Sequence, residues 1–454
     1  MVGNSPPPSV RARARLGAAL RGPAWFGAYL AVVVVPLIFA VIGVVDDGRG
    51  FWREFTVALG FVGLSMMGLQ FVLVARVKVV AAPFGEDALV HFHRYMGYLA
   101  TVLILAHPVL LIVVVNANYL ERVNPFTAPW AGRFGTLAIL CLLAVVVTSV
   151  WRAALRISYE VWQGLHLVLS TVAIIAALMH VELIGHYVNQ PWKRVLWAVM
   201  TAGFLAVFVW VRIVRPVLRT RRPWTVASVR SERGGVYTVT LRPIGHGGFS
   251  FAPGQFGWLS VHRSPFALTQ HPFSFSSNGD DRSALQMSIK ELGDFTRTIR
   301  SIAPGTRAYV DGPHGVFSPD NYDGPGFVFL GGGVGIGPLM SMLRTFATRG
   351  EGRPCLLFFG VARIEDATFR EEIDTLATRL PLTVVYVVSD PPSDWTGEQG
   401  RITTETLRRH LPGEHEALQY FICGPGAMQD AMEDALGTLK VPGAHVHTER
   451  FNFV

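Results

Sequence analysis

Cysteine is scarce in this chain of 454 residues: only Cys141, Cys355 and Cys423 occur. Three scattered cysteines make no disulfide framework, which puts the water-soluble part in a reducing, cytosolic compartment. Charge is also scarce, and unevenly so. Residues 24–213 hold nearly all the long uncharged runs, whereas 224–454 read as an ordinary soluble protein. The chain is therefore half membrane and half soluble, with room for two or three domains. No GK[ST] follows its glycine-rich stretch, which excludes a Walker loop, and no EF-hand pattern occurs. The net charge of +8 would suit a nucleic-acid partner. However, the arginines behind it crowd the ends of apolar segments (Arg11, Arg13, Arg15, Arg21, Arg212, Arg215, Arg219, Arg221, Arg222), where the positive-inside rule places them. Nucleic acid is excluded on that ground.

Residues 1–22 are rich in proline and arginine and are expected to be disordered. The RARAR stretch before an apolar run resembles a signal peptide. The run from Trp25 to Val45 is too long for a signal core and no small-residue cleavage site follows it, so an uncleaved anchor is expected. Six apolar spans, at about 24–45, 55–75, 92–115, 134–151, 161–182 and 193–213, each approach the ~20 residues a bilayer needs. Arg76 and Lys78, Arg152 and Arg156, and the 212–222 cluster all fall on the same side as the N-terminal arginines. That side is taken as cytoplasmic, with both termini there in a multi-pass protein of the cell membrane. The opposite loops are mixed, with Asp46, Asp47, Glu54, Glu121 and Glu182 beside Arg49, Arg53, Arg122 and Arg133.

Spans three and five each carry two histidines fourteen residues apart: His93 and His107, His166 and His180. Fourteen helical residues make almost a whole number of turns, so each pair shares a face, roughly 21 Å apart along the axis. Both spans run in the same direction, so His93 pairs with His166 near the inner surface and His107 with His180 near the outer one. Small residues lie between them (Gly97, Ala100, Ala173, Ala177), where a flat macrocycle needs room. Two stacked bis-histidine pairs in a helical bundle make a ladder for two b-type haems. No CxxCH occurs, so such haems would be bound non-covalently. His91 points to a different face, and His186 lies in an outer loop.

After a linker at Arg219–Trp224 the pattern changes. Short strands separated by Gly and Pro predict an antiparallel β-barrel over about 224–320. From 326, strands alternate with helices, which implies a doubly wound α/β domain. FVFLGGGVGIGPLMSML is a strand, a glycine-rich turn and a helix start. Gly331, Gly332, Gly333, Gly335 and Pro338 there make a dinucleotide site, because glycines admit a pyrophosphate and the helix N-terminus supplies amides.

HPFSFSS (271–277) carries a resemblance. With PGQF (253–256), KELGDFT (290–296), DGPHG (311–315), ICGP (422–425) and the terminal TERFNFV, residues 220–454 resemble the ferredoxin-NADP reductase type of flavoprotein, in the version found in NADPH oxidases and ferric reductases. The HR…G…HP and LH…H patterns of the membrane half resemble that family's six-span haem domain. The resemblance implies that His271, Pro272, Phe273 and Ser274 cradle FAD. It implies that Gly293 and Thr296 form a second phosphate turn, and that Cys423, Gly424 and Pro425 lie at the nicotinamide. Glu449 and Phe451 would form the catalytic C-terminus, the Phe451 ring covering the flavin, with Phe453 as the alternative ring. Arg363, after the second strand of the nucleotide domain, either forks onto a 2′-phosphate or is a solvated surface residue. NADPH is the expected nucleotide and NADH the alternative.

The expected domains are 1–22, a basic N-terminus; 23–218, an all-α six-helix transmembrane bundle; 219–322, an FAD-binding β-barrel; and 323–454, an NAD(P)-binding α/β domain. The expected activity is transmembrane electron transfer from NAD(P)H through FAD and two haems to an extracytoplasmic acceptor, either oxygen or a ferric chelate. A membrane electron-supply module serving a protein partner outside is the alternative. Arg122, Arg133, Lys193 and Arg194 rim the outer loops and would attract an anionic chelate, pair with haem propionates, or do neither.

Overall fold

The computed structural model describes residues 8–42, 50–76, 85–261, 264–266 and 270–450. It divides into two compact units, Met1–Arg215 and Pro216–Val454.

The first unit is helical: α1 (Pro8–Val41), α2 (Phe51–Leu73), α3 (Gly85–Leu110), α4 (Trp130–Val150), α5 (Tyr159–Ile184) and α6 (Pro191–Val209). Among the described residues, six helices are long and apolar enough to cross a membrane. Such helices satisfy every main-chain group internally, which a hydrocarbon environment demands. Local signals set their ends. Ser158 caps α5 by accepting from Val161 N, Gly185 ends it at φ 71°, and Pro191 opens α6. The stretch before residue 22, expected to be disordered, is helical from Pro8 onward. A proline at a first helical position, followed by Arg, Ala and Leu, favours that outcome. Helix α3 passes into a π-turn at Leu111–Val115, three residues beyond Pro108, as expected where a proline interrupts the hydrogen-bond ladder.

Close packing in this unit depends on glycine. A Cβ at Gly63 on α2 would lie 2.6 Å from Ile104 Cγ1 and 3.3 Å from the Ala100 carbonyl oxygen. Ala100 thus serves the α2–α3 contact, and Ala173 is buried with Met67, Cys141 and Leu142. Gly97 has nothing within 4 Å of its Cβ position.

Helix α7 (Arg215–Thr220) leads into the second unit. There β1 (Trp224–Ser231), β2 (Val236–Pro243), β3 (Phe256–Val261), β4 (His271–Ser274), β5 (Leu285–Lys290) and β6 (Arg307–His314) pair antiparallel in the order β4-β3-β6-β1-β2-β5. A bridge between Phe275 and Met287 joins the two ends and closes the barrel. Its interior is filled by Trp224, Leu241, Leu259, Phe275 and Met287. The α/β part contains β7 (Phe327–Gly332), β8 (Cys355–Val361), β9 (Leu382–Val388), β10 (Glu398–Gln399), β11 (Gln419–Cys423) and β12 (Val446–Glu449). These are parallel, in the order β10-β9-β8-β7-β11-β12. The apolar strand centres are buried, as a sheet covered on both faces requires. The chain winds outward from β7 and returns to β11, which puts a topological switch point between those strands. The helices of this unit are α8 (Asp294–Thr298), α9 (Ile336–Arg349), α10 (Arg370–Ala377), α11 (Thr404–His410) and α12 (Gly426–Thr438).

Two arginines of α9 tie the barrel to the α/β part. Arg344 forks onto Glu372 at 2.6 and 2.7 Å and donates to Ser276 O and Gln286 Oε1. Arg349 forks onto Asp280 at 2.8 and 2.9 Å and reaches Asp320 at 2.7 Å. The Arg349 guanidinium holds the Asp280 carboxyl below the usual carboxylate range.

Candidate functional site

In the helical unit, α3 and α5 bring His93 and His166 together, ring centroids 6.2 Å apart and tilted by 54°. A separation of this size leaves room for one metal ion between the two imidazoles, about 2 Å from a nitrogen of each.

The other ring nitrogens show what orients the imidazoles. His107 Nδ1 is 2.8 Å from the Thr56 carbonyl oxygen, and His180 Nδ1 is 2.7 Å from that of Ala131. A carbonyl only accepts, so both Nδ1 atoms carry the proton and both Nε2 atoms present a lone pair, the tautomer a metal ligand needs. His166 Nδ1 is 3.2 Å from Ser149 Oγ. His93 Nδ1 is buried with no hydrogen-bond partner among the described residues. Each of these two carbonyls, of Thr56 and Ala131, lies four residues before a glycine. A Cβ on Gly60 would come within 3.3 Å of His107 Cγ, and one on Gly135 within 2.9 Å of His180 Nδ1. A carbonyl at one position and a glycine one turn later thus cradle each of these two histidines. The signal that points to the cradle is glycine within α2 and α4 at matching offsets; the carbonyls have no sequence signature. His186 packs edge-on against Tyr187, whose hydroxyl donates to Glu54. Among the described residues no group of three or more His, Cys, Asp or Glu could hold a metal ion; bis-imidazole ligation asks for two residues per ion.

In the second unit the HPFS segment is the edge strand β4, paired with β3 so that His271 faces Leu259 and Ser274 faces Phe256. The four residues His271, Pro272, Phe273 and Ser274 are half-buried. The His271 ring stacks on Phe295 at 3.8 Å, and Phe273 lies near-parallel to the same ring at 6.1 Å. Thr296, expected at a phosphate, turns inward. Its hydroxyl accepts from Gly293 N at 2.8 Å and Leu292 N at 2.9 Å, so it shapes the turn that Gly293 opens. In the DGPHG turn the buried Asp311 pairs with Arg219 and lies 3.3 Å from His314 Nε2.

The glycine-rich turn sits at the switch point. Gly333 takes φ 55° with nothing near its Cβ position, whereas Gly332 and Gly335 are required by contact with Met428 and the Cys423 carbonyl. A Cβ on Gly331 would touch Leu339, and one on Gly424 would lie 3.2 Å from Gly332. These glycines therefore let the β7–α9 and β11–α12 turns close on each other, and Gly333 is the one that faces open space. Pro338 lies in the first turn of α9, and Pro425 precedes α12. Cys423 is fully buried, and burial, with Glu449 opposite it in the sheet, pushes its thiol well above the usual value. The Glu449 carboxylate comes within 3.3 Å of the Cβ position of Gly315, across the barrel turn. Phe451 and Phe453 lie outside the described residues. Arg363 is exposed and forks onto Asp366 at 3.1 and 3.3 Å, and Glu365 and Asp390 add to the negative surroundings that raise its affinity for a proton.

Three families match. Residues 59–177 match the ferric reductase like transmembrane component, residues 222–317 an FAD-binding domain and residues 329–434 the oxidoreductase NAD-binding domain. The chain is 31% identical over 209 residues to the ferredoxin reductase component of 3-ketosteroid-9-alpha-monooxygenase of Rhodococcus rhodochrous, which covers 45% of this chain and 57% of that one. It is 30% identical over 215 residues to ferredoxin–NADP reductase B of Sorangium cellulosum, covering 45% of this chain and 86% of the relative. Among solved structures, Amycolatopsis cytochrome P450 reductase GcoB is 25% identical with a TM-score of 0.45, covering 51% of this chain and 69% of that one. The chain thus spans less than two thirds of the length of the first relative. The order of the three matched domains, on six apolar helices, an antiparallel barrel and a parallel α/β sheet, places this oxidoreductase in the ferric reductase/NADPH oxidase family.

Proposed function

We propose that the protein takes electrons from NADH on the cytoplasmic side and delivers them, through FAD and two b-type haems, to a small-molecule acceptor outside, oxygen or a ferric chelate. The observation that carries this reading is the orientation of His107 and His180, each with Nδ1 bound to a main-chain carbonyl and Nε2 left for a metal. When bound, FAD and haem would supply the redox chemistry: the flavin would split the two electrons of one hydride into single electrons, and bis-imidazole haems would carry them one at a time. The chain's own residues position. His93 and His166 would hold the inner haem, and His107 and His180 the outer one. The HPFS strand and the 292–296 turn would hold FAD, and the two crossing glycine turns would receive the nucleotide. The thiol of Cys423 stays neutral at pH 7 and acts by contact rather than as a nucleophile. Arg76, Arg152, Arg156 and the 212–222 cluster support a cytoplasmic reductase half in the cell membrane.

The surroundings of Arg363 move the nucleotide expectation from NADPH to NADH. Its guanidinium is committed to Asp366, and Glu365 and Asp390 add negative charge around it, which disfavours a 2′-phosphate there.

Proteoliposomes with NADH outside and ferric citrate inside test the function. The reading predicts ferrous iron formed inside in oriented vesicles, or superoxide in air, without any added protein. A requirement for an added protein carrier would overturn it in favour of an electron-supply module.

A further inference from the structure

His166 is held differently from His107 and His180. Ser149 Oγ donates its one proton to the Val145 carbonyl at 2.7 Å. It therefore meets His166 Nδ1, at 3.2 Å, as an acceptor, while also accepting from Trp162 Nε1 at 3.2 Å. The indole lies against the His166 ring at 5.3 Å, and the Arg152 guanidinium sits over the indole at 5.8 Å. A hydroxyl shared between two donors is a weaker acceptor than the undivided carbonyls, at 2.8 and 2.7 Å, that serve the other two histidines. A weaker acceptor leaves the imidazole less electron-rich, and a less electron-rich ligand stabilises ferric iron less.

We propose that Ser149 and Trp162 are positioning residues that orient His166 and set the midpoint potential of the haem it would hold above that of the His107/His180 haem. The proposal rests on the bis-histidine reading above. Trp162 weakens the Ser149–His166 bond by competing for the same oxygen, so the two residues act in opposite senses. Removing the hydroxyl withdraws the last acceptor and raises the potential. Removing the indole N–H frees the hydroxyl for His166 and lowers it.

The test is a potentiometric titration of the full-length protein followed by haem absorbance, with low-spin EPR as a second readout. Two components are expected. Ser149→Ala should move only the higher one upward, by a two- to tenfold change in the ferric/ferrous ratio at fixed potential, tenfold being 59 mV for one electron. Trp162→Phe should move the same component downward, and Ser149→Thr should restore the original value. If Ser149→Ala sheds one haem while the lower component stays intact, the orienting role is supported as well. Unchanged potentials and EPR in both variants with two haems retained, or a shift in the lower component, would overturn the proposal. Wild-type protein without haem would overturn the underlying reading instead, so the two failures are distinguishable.

Discussion

Replacing Gly135 by alanine puts a methyl group where the ring of His180 now lies, 2.9 Å from Nδ1. The ring must retreat, and its 2.7 Å bond to the Ala131 carbonyl must lengthen or break. Overpacking of this kind costs about 1–3 kcal/mol and loss of the hydrogen bond about 1 kcal/mol. Even the lower figures amount to about a thirtyfold loss of affinity at that site, since each 1.4 kcal/mol is tenfold. Gly60→Ala is the graded case: its Cβ would stand 3.3 Å from His107 Cγ, so a shift of tenths of an ångström suffices and the effect should be smaller. Gly203→Ala, with nothing within 4 Å, is the control and should change nothing. The assay is haem per chain after purification, with the reduced-minus-oxidised spectrum. The reasoning predicts near loss of one haem in the Gly135 variant, partial loss in the Gly60 variant and two haems in the control. Two haems with an unaltered spectrum in Gly135→Ala, or equal loss in the control, would refute the cradle.

Further outcomes follow from the reductase half. Asp366→Ala should free Arg363 and raise kcat/KM for NADPH relative to NADH severalfold, measured by flavin reduction; an unchanged ratio removes Arg363 from nucleotide selection. Arg349→Ala should lower stability at pH 7 by about 1 kcal/mol, a modest figure because the ion pair is partly exposed. Asp280 has a depressed folded-state pKa, so this stabilisation is present above the ordinary carboxylate value and is lost as pH falls through the folded one; the variant and the parent should converge in acid thermal melts. His447, stacked on Tyr322 at 3.6 Å and bound to Gln419 Oε1, is pushed down to about 4 by burial. Between that value and 6.5 the unfolded chain binds a proton that the folded chain refuses. Stability therefore falls as pH drops through this window, by roughly 3 kcal/mol, and His447→Gln should flatten the dependence in urea titrations.

What could be read from the residues alone was whatever follows a short period. Fourteen-residue histidine spacing puts two histidines on one helix face because a helix repeats, and alternating strand and helix patterns locate β7–α9 and β11–α12. Contacts between distant main-chain atoms have no such period. The Thr56 and Ala131 carbonyls that orient His107 and His180 belong to any residue type, and Asp280 lies 69 residues from Arg349. The inward turn of Thr296 depends on its hydroxyl accepting from the Leu292 and Gly293 amides, and a motif match does not decide that. The Arg363–Asp366 pair lies three residues apart and was open to view, but its meaning emerged only with Asp390 beside it.

The central claim is that one chain holds two haems between two pairs of histidines and fills them from a nucleotide. The direct measurement is anaerobic addition of NADH to the purified, FAD-loaded protein, with haem quantified per chain and followed by absorbance. The account predicts two low-spin haems per chain, both reduced by NADH, and only one remaining in His107→Ala or His180→Ala while flavin reduction persists. A chain without haem, or with haems that NADH leaves oxidised, would contradict it.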